Sequence, residues 1–245
     1  MLPRFFVPQA ETTGSVVALP DDEAAHLIHV LRLKPGDAVR VFDGRGREWS
    51  ARVGEIGKAH ARVQLDASLT PIAEPQVVVT LAVAVLKGDK MDGVVRDAVM
   101  LGVRRVVTLL SERTEVAPRL IQRGQRVERW RRIAVASAKQ CGRSVIPSVD
   151  APISVQDALA ESSAVPRIML VEPGANEAAS HRLRDLPRSQ EAILFIGPEG
   201  GWSSREVELA GAAGVHFATL GLLTLRADAA PLVAVTALRT TWDDL

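Results

Sequence analysis

The chain is short of several things, and each shortage closes a possibility. It has one cysteine, Cys141, in 245 residues. A single thiol makes no disulfide within the chain and builds no cysteine zinc site, which fits a reducing compartment. Tyrosine is absent and aromatics are only 4% of the residues, so the core must be aliphatic. No uncharged run approaches the ~20 residues that span a bilayer. The start, Met1-Leu2-Pro3-Arg4, carries no secretory hydrophobic region. These features predict a soluble, cytoplasmic protein. Charge of one sign is also lacking. Thirty Lys and Arg face 29 Asp and Glu, for a net charge of +1. No global field favours nucleic acid, so local clusters of cations must carry any such binding. There is no G-x-x-x-x-G-K-S/T and no G-x-G-x-x-G, which excludes the common phosphate loops. The five histidines complete no metal-ligand pattern. His26 and His29 stand three apart without further ligands, and His60, His181 and His216 are isolated, so no metal site is assigned.

What is present divides in two. Residues 1 to about 70 read as short strands around turns: Val16–Leu19, Ala38–Phe42, Glu48–Val53 and His60–Leu65, with a hairpin signal at Asp43-Gly44-Arg45-Gly46. Asp21 or Asp22 is expected to cap a short helix over Ala24–Leu31. This pattern suggests a small β-barrel. Its cations (Arg4, Arg32, Lys34, Arg40, Arg45, Arg47, Arg52) sit largely on turns, where they either neutralise phosphates or form a solvated surface. Thr70-Pro71-Ile72-Ala73-Glu74-Pro75 reads as a linker, because two prolines break both helix and strand. Strands and helices then alternate. The strands are Gln76–Leu86, Arg104–Leu110 and Arg167–Val171. The helices are Asp89–Leu101, Gln122–Cys141 and Ser154–Ala160. Such alternation predicts a parallel α/β sheet.

The chain is organised around residues 192–206. Ala192–Ile196 is a buried apolar strand, Gly197-Pro198-Glu199-Gly200-Gly201 a tight loop, and Ser203 with Glu206 a capping box opening a helix to about Ala213. A second unit follows: strand Val215–Leu220, loop 221–228, and an apolar helix Ala229–Arg239. Ligands of α/β proteins bind at the carboxyl ends of strands, against such loops. The acid Glu199 suits a cationic or hydroxyl-rich ligand rather than a phosphate. The plain alternative is a tight connection whose glycines only relieve sterics.

The segments that carry a resemblance run through the chain in order. They are His29 to Asp37, Phe42-Asp43-Gly44, Lys87-Gly88-Asp89-Lys90-Met91-Asp92, Leu101-Gly102-Val103, Ser111-Glu112-Arg113, Gln140-Cys141-Gly142-Arg143, Gly197 to Gly201, Leu220-Gly221 and Leu225-Arg226. Together they resemble the RsmE family, ribosomal RNA uridine-N3 methyltransferases of the SPOUT, trefoil-knot class. The resemblance implies an α/β fold with a SPOUT-type trefoil-knotted parallel sheet over 76–245, helices on both faces. A PUA-like β-barrel RNA-binding domain over 1–70 precedes it, joined by the linker 71–75. Periodicity alone would not suggest a knot, since knots are rare.

The resemblance also implies S-adenosyl-L-methionine as cofactor, held by three loops after Val171, Ile196 and Leu220. The implied cofactor residues are Leu170, Val171, Glu172, Ile196, Gly197, Pro198, Gly200, Gly201, Leu220, Gly221, Leu222 and Leu225. Uridine N3 must lose a proton to become a nucleophile, so a base or an anion-stabilising group is expected. Glu199 and Asp228 are the candidate bases. Arg226 and Arg113 are candidates to stabilise the uridine oxygens. Arg4, Arg32, Lys34, Lys87, Lys90 and Arg143 are the implied RNA contacts. The implied partners are 16S ribosomal RNA in the small subunit and a second copy of the chain, met through Ala229–Trp242 and the region after Gly201. The chain departs from the family at Leu223, where an Arg is usual, at Ala227-Asp228-Ala229 in place of Thr-Glu-Thr, and at Lys139 in place of Glu. These departures leave two alternatives: a non-catalytic RNA-binding or ribosome-assembly factor, or an enzyme of the same fold acting on another RNA position.

Overall fold

A computed structural model of the protein describes residues 2–116, 124–161, 164–174 and 180–245, with Ser180 and His181 described by backbone alone. The chain packs as two units: residues 1–74 with 135–146, and residues 75–134 with 147–245.

The first unit is built on one five-stranded sheet. β1 (Arg4–Phe6), β2 (Val16–Ala18), β3 (Ala38–Phe42), β4 (Glu48–Ile56) and β5 (Ala61–Leu69) lie in the order β1-β3-β4-β5-β2. β1 pairs parallel with β3, and the remaining pairs are antiparallel. Alternation selects the core face. In β5, Ala61, Val63 and Leu65 are buried while Arg62 is exposed. α1 (Asp21–Ala25) runs on into a π-helical turn, His26–Leu31, that ends at Arg32 with a φ of 52°. The expected aspartate cap is not formed. Pro20 occupies the cap position, and Asp22 instead accepts from the adjacent Glu23 N–H at 3.0 Å.

Two expected RNA contacts lie inside this unit. Arg4 is 8% exposed and spends its guanidinium on Glu48 and on the carbonyls of Ala138, Lys139 and Arg143 at 2.9–3.2 Å. Arg143 is likewise buried and is paired with Glu74. A buried guanidinium with filled donors does not reach a phosphate, so both residues are structural cations. The same bonds hold part of the expected 76–245 span in the first unit. Residues 135–146 wrap around Arg4 and belong with the first unit. Lys139 serves that packing too, with its ammonium 2.6 Å from the buried Glu23 carboxylate.

The second unit is an all-parallel sheet. Its strands are β6 (Val78–Ala84), β7 (Arg105–Leu110), β8 (Ser148–Val149), β9 (Ile153–Ser154), β10 (Arg167–Leu170), β11 (Ser180–Arg182), β12 (Glu191–Ile196) and β13 (His216–Thr219). The order is β11-β13-β10-β12-β6-β7-β8, with β9 also on β7. The helices are α2 (Lys90–Met100), α3 (Gln125–Cys141), α4 (Val155–Ala160), α5 (Ser204–Ala212) and α6 (Ala230–Thr241). The last turns of α3 fall in the first unit. The near-continuous apolar runs of β6 and β12 are those of strands covered on both faces. Val235 and Leu238, apolar positions of the last helix, are buried within the chain, whereas Leu232 is exposed. Among the described residues no helix is long and apolar enough to cross a membrane.

Candidate functional site

Four neighbouring strands, β13, β10, β12 and β6, end side by side. Because all are parallel, the loops after them emerge on one edge: 220–229, 171–174, 197–203 and 85–89. A cavity of about 500 Å³ opens between the loops, within the usual range for a small-molecule site.

The 197–201 loop is shaped by its glycines. Gly201 has a φ of 67° and closes a turn onto the Pro198 carbonyl at 3.0 Å. A Cβ on Gly197 would stand 3.2 Å from the Trp202 ring, so the backbone lies directly on that indole. Trp202 Nε1 in turn donates to the Leu170 carbonyl at 2.8 Å, tying this loop to the end of β10. Ser203 and Glu206 form the expected capping box and open α5. Glu206 also accepts from Ser111 Oγ at 3.2 Å and the Glu112 N–H at 3.0 Å, which fixes the loop bearing Arg113.

Charge is arranged in pairs around the cavity. Lys90, at the start of α2, places its ammonium 2.7 Å from Glu199 Oε1, and the Lys87 N–H adds a bond at 3.3 Å. Burial pushes the Glu199 carboxyl up, but the hydrogen bonds from Lys90, from its own backbone and from Lys87 outweigh it, and the group is held below its ordinary value. Arg226 meets Asp228 with two bonds of 3.0 Å. That pairing lowers the Asp228 carboxyl and raises the Arg226 guanidinium. Arg113 donates to the Gly200 carbonyl at 2.9 Å.

The four expected catalytic residues, Glu199, Arg226, Asp228 and Arg113, all line this cavity. So do Leu170, Val171, Glu172, Ile196, Gly197, Pro198, Gly200, Gly201, Leu220 and Leu225. Gly221 and Leu222 do not. Leu222 is 95% exposed at the tip of its loop, so it is no wall for a purine. Leu223, 80% exposed, reaches the rim in its place. Lys90, expected on RNA, belongs to the cavity, while Lys87 points its ammonium 3.1 Å from Glu115 in the open. Arg32 and Lys34 are exposed residues of the first unit. Sequence reasoning missed Trp202, Pro173 and Thr224. For Trp202 there was a signal, a large aromatic directly after Gly200-Gly201 in a chain with few aromatics.

The lining suits a ligand with a flat apolar part, a polar edge and a positive centre. Leu170, Ile196 and Leu225 supply apolar walls, the loops expose backbone donors and acceptors, and Glu172, Glu199 and Asp228 bring negative charge. The comparisons agree with this description. The chain matches the RNA methyltransferase domain family over residues 73–239 and the RNA methyltransferase PUA domain family over 19–66. It is 32% identical to the ribosomal RNA small subunit methyltransferase E of Synechocystis sp. over 95% of this chain and 75% of that one. The crystal structure of the ribosomal RNA small subunit methyltransferase E of Neisseria gonorrhoeae bound to S-adenosyl methionine superposes with a TM-score of 0.89. It is 32% identical and covers 99% of this chain and 98% of that one. A methyltransferase of Legionella pneumophila in complex with the same cofactor gives a TM-score of 0.89 at 27% identity, with 98% of each chain covered.

Proposed function

This chain belongs to the ribosomal RNA small subunit methyltransferase E family of RNA methyltransferases, and from that premise we propose that it methylates N3 of a uridine in 16S ribosomal RNA. The observation that carries the reading is the cavity itself. Its apolar walls, exposed backbone and three carboxylates fit S-adenosylmethionine, which the Neisseria relative holds. When bound, that cofactor supplies a methyl group already activated on a sulfonium. The task left to the protein is to position the uridine and manage its charge. Pairing to Arg226 and Lys90 keeps Asp228 and Glu199 ionised at neutral pH, so each can accept a proton from N3. Arg226 and Arg113 supply cationic N–H groups for the uridine oxygens. Leu170, Ile196, Leu220 and Leu225 line the apolar part of the site, with Gly197, Gly200 and Gly201 allowing close backbone approach.

In this reading the first unit, with its expected barrel over 1–70, binds RNA, with Arg32 and Lys34 as the exposed cations for phosphates. The second unit carries the trefoil knot of its family. The enzyme works in the cytoplasm as a homodimer, for which exposed Leu232 and Val233 on α6 offer apolar surface.

The test is methyl transfer from labelled S-adenosylmethionine to small ribosomal subunits that lack their uridine methylation, followed by nucleoside mass spectrometry. The expected product is 3-methyluridine. Cofactor binding without product would replace this reading with a non-catalytic assembly factor, and a different methylated nucleoside would move the reaction to another RNA position. In the same assay Asp228→Asn lowers turnover by about 100-fold with cofactor affinity little changed. Full activity of that variant would remove Asp228 as the base.

A further inference from the structure

One cation of the cavity is bound to an acid of the neighbouring loop. Lys90 lies 2.7 Å from Glu199 and reaches it from the first turn of α2, in the cavity that Asp228 also lines. Asp228 has its own partner, since the hydrogen bond from Arg226 is first among the causes that lower its carboxyl. The other charged groups nearby are committed elsewhere. Arg113 is bound to the Gly200 carbonyl, and Arg226 forms its two bonds to Asp228. Lys87 turns its ammonium to Glu115. Asp89 and Asp92, the acids beside Lys90 on its own element, are paired with Arg129. Glu172 also lines the cavity, with its Oε1 beside Gly201. Among the described residues the Lys90 ammonium has one hydrogen-bond partner in the site, Glu199, so two of its three N–H groups stay unspent.

We propose that Lys90 is a positioning residue of the methyl-transfer site, the counter-charge that orients Glu199, rather than a contact to the RNA backbone. This rests on the methyltransferase reading and adds a specific consequence. Removing the cation lets the Glu199 carboxyl rise, because burial then meets less opposition, while Arg226 still holds Asp228 down. The ionised fraction of Glu199 then falls first on acidification, so the acid limb of the pH–rate profile moves to higher pH while the alkaline rate recovers. A residue that only supported the fold would lower the rate evenly across pH. A contact to phosphate would raise the KM for RNA and flatten its salt dependence without moving the limb.

The experiment compares the wild type, Lys90→Met and Lys90→Arg in two measurements. One is the pH dependence of kcat for methyl transfer to small ribosomal subunits. The other is a carbon-13 titration of side-chain carboxyls in the free protein, with Glu199 and Asp228 assigned through Gln and Asn variants. In Lys90→Met the acid limb and the Glu199 titration shift upward while Asp228 stays where it was, and Lys90→Arg restores both. An unmoved Glu199 titration, or an unmoved acid limb, overturns the positioning role. If the wild type transfers no methyl, the function reading has failed by itself, and the Glu199 titration still decides whether Lys90 sets the charge of that acid.

Discussion

Asp43 stands in the turn between β3 and β4, and its two oxygens accept four hydrogen bonds. They come from the backbone N–H groups of Arg45 and Arg47 at 2.8 and 3.0 Å, and from the Nε atoms of the same residues at 3.1 and 2.7 Å. Burial pushes its carboxyl up, but the bonds from Arg47 and Arg45 outweigh that and hold it below the ordinary carboxylate value. The sign follows. A depressed carboxyl contributes stability that is present above its unfolded pKa and lost as pH falls through the folded one. Asp43→Asn should therefore cost about 1–3 kcal/mol at neutral pH, and the difference from wild type should shrink on acidification. Urea unfolding at neutral and acidic pH checks this, and an undiminished cost in acid would count against it. Glu23 has the opposite sign. Its burial raises the carboxyl by more than Lys139 lowers it, so its contribution is present below the unfolded pKa and fades as pH rises through the folded one.

At the scale of elements, α5 does more than continue the chain after the glycine loop. Its Glu206 is 3% exposed and joins three backbone or hydroxyl donors: Ser203 N–H at 2.9 Å, Glu112 N–H at 3.0 Å and Ser111 Oγ at 3.2 Å. One helix terminus thus holds both the cavity loop and the loop carrying Arg113. Glu206→Ala leaves buried donors unpaired, at about 1–3 kcal/mol, or roughly 2–12 °C in melting temperature for a chain of this size. It should also weaken S-adenosylmethionine binding, because Arg113 and Gly200 lose their shared support. Ser203→Ala removes only the cap, at about 1 kcal/mol, and should leave cofactor affinity nearer to wild type. Calorimetry with ligand titration separates the two. Equal affinity in both variants would argue that the loops hold their shape without Glu206.

At the scale of the whole chain, the last helix closes the second unit on itself. Arg239 is 1% exposed and donates to the carbonyls of Leu101, Gly102 and Val77 at 2.7, 3.0 and 3.3 Å. It also pairs with Asp244, which accepts from the N–H groups of Gln76 and Val77. The end of the chain is thereby bound to the start of β6 and to the turn before β7. Gly102 is required there, since its φ is 77° and a Cβ would meet Pro75 at 2.5 Å. Arg239→Met leaves Asp244 charged and buried without its cation and should cost about 3–5 kcal/mol, read as a lower midpoint in guanidinium. Replacing both residues by apolar ones should recover part of that loss. A single variant no less stable than the double one would show that the pair is not what holds the terminus.

The sequence by itself determined the local pieces. The alternating strands, the capping box at Ser203 and Glu206, the positive-φ glycines of the turns and the run of strand, loop and helix around Gly197 depend on residues a few positions apart, and their pattern is legible in order. The family resemblance named most of the cavity lining, and the strand order brings those loops to one edge. Only the tertiary structure decided what the long side chains do. Arg4 reaches carbonyls 134 and more positions away and becomes a core cation. Lys90 meets Glu199 across 109 positions and becomes part of the cavity, and residues 135–146 leave the second unit for the first. A guanidinium on a phosphate and one buried under carbonyls have the same local sequence. The free energy that separates them comes from partners brought together by folding, and no spacing along the chain encodes those partners.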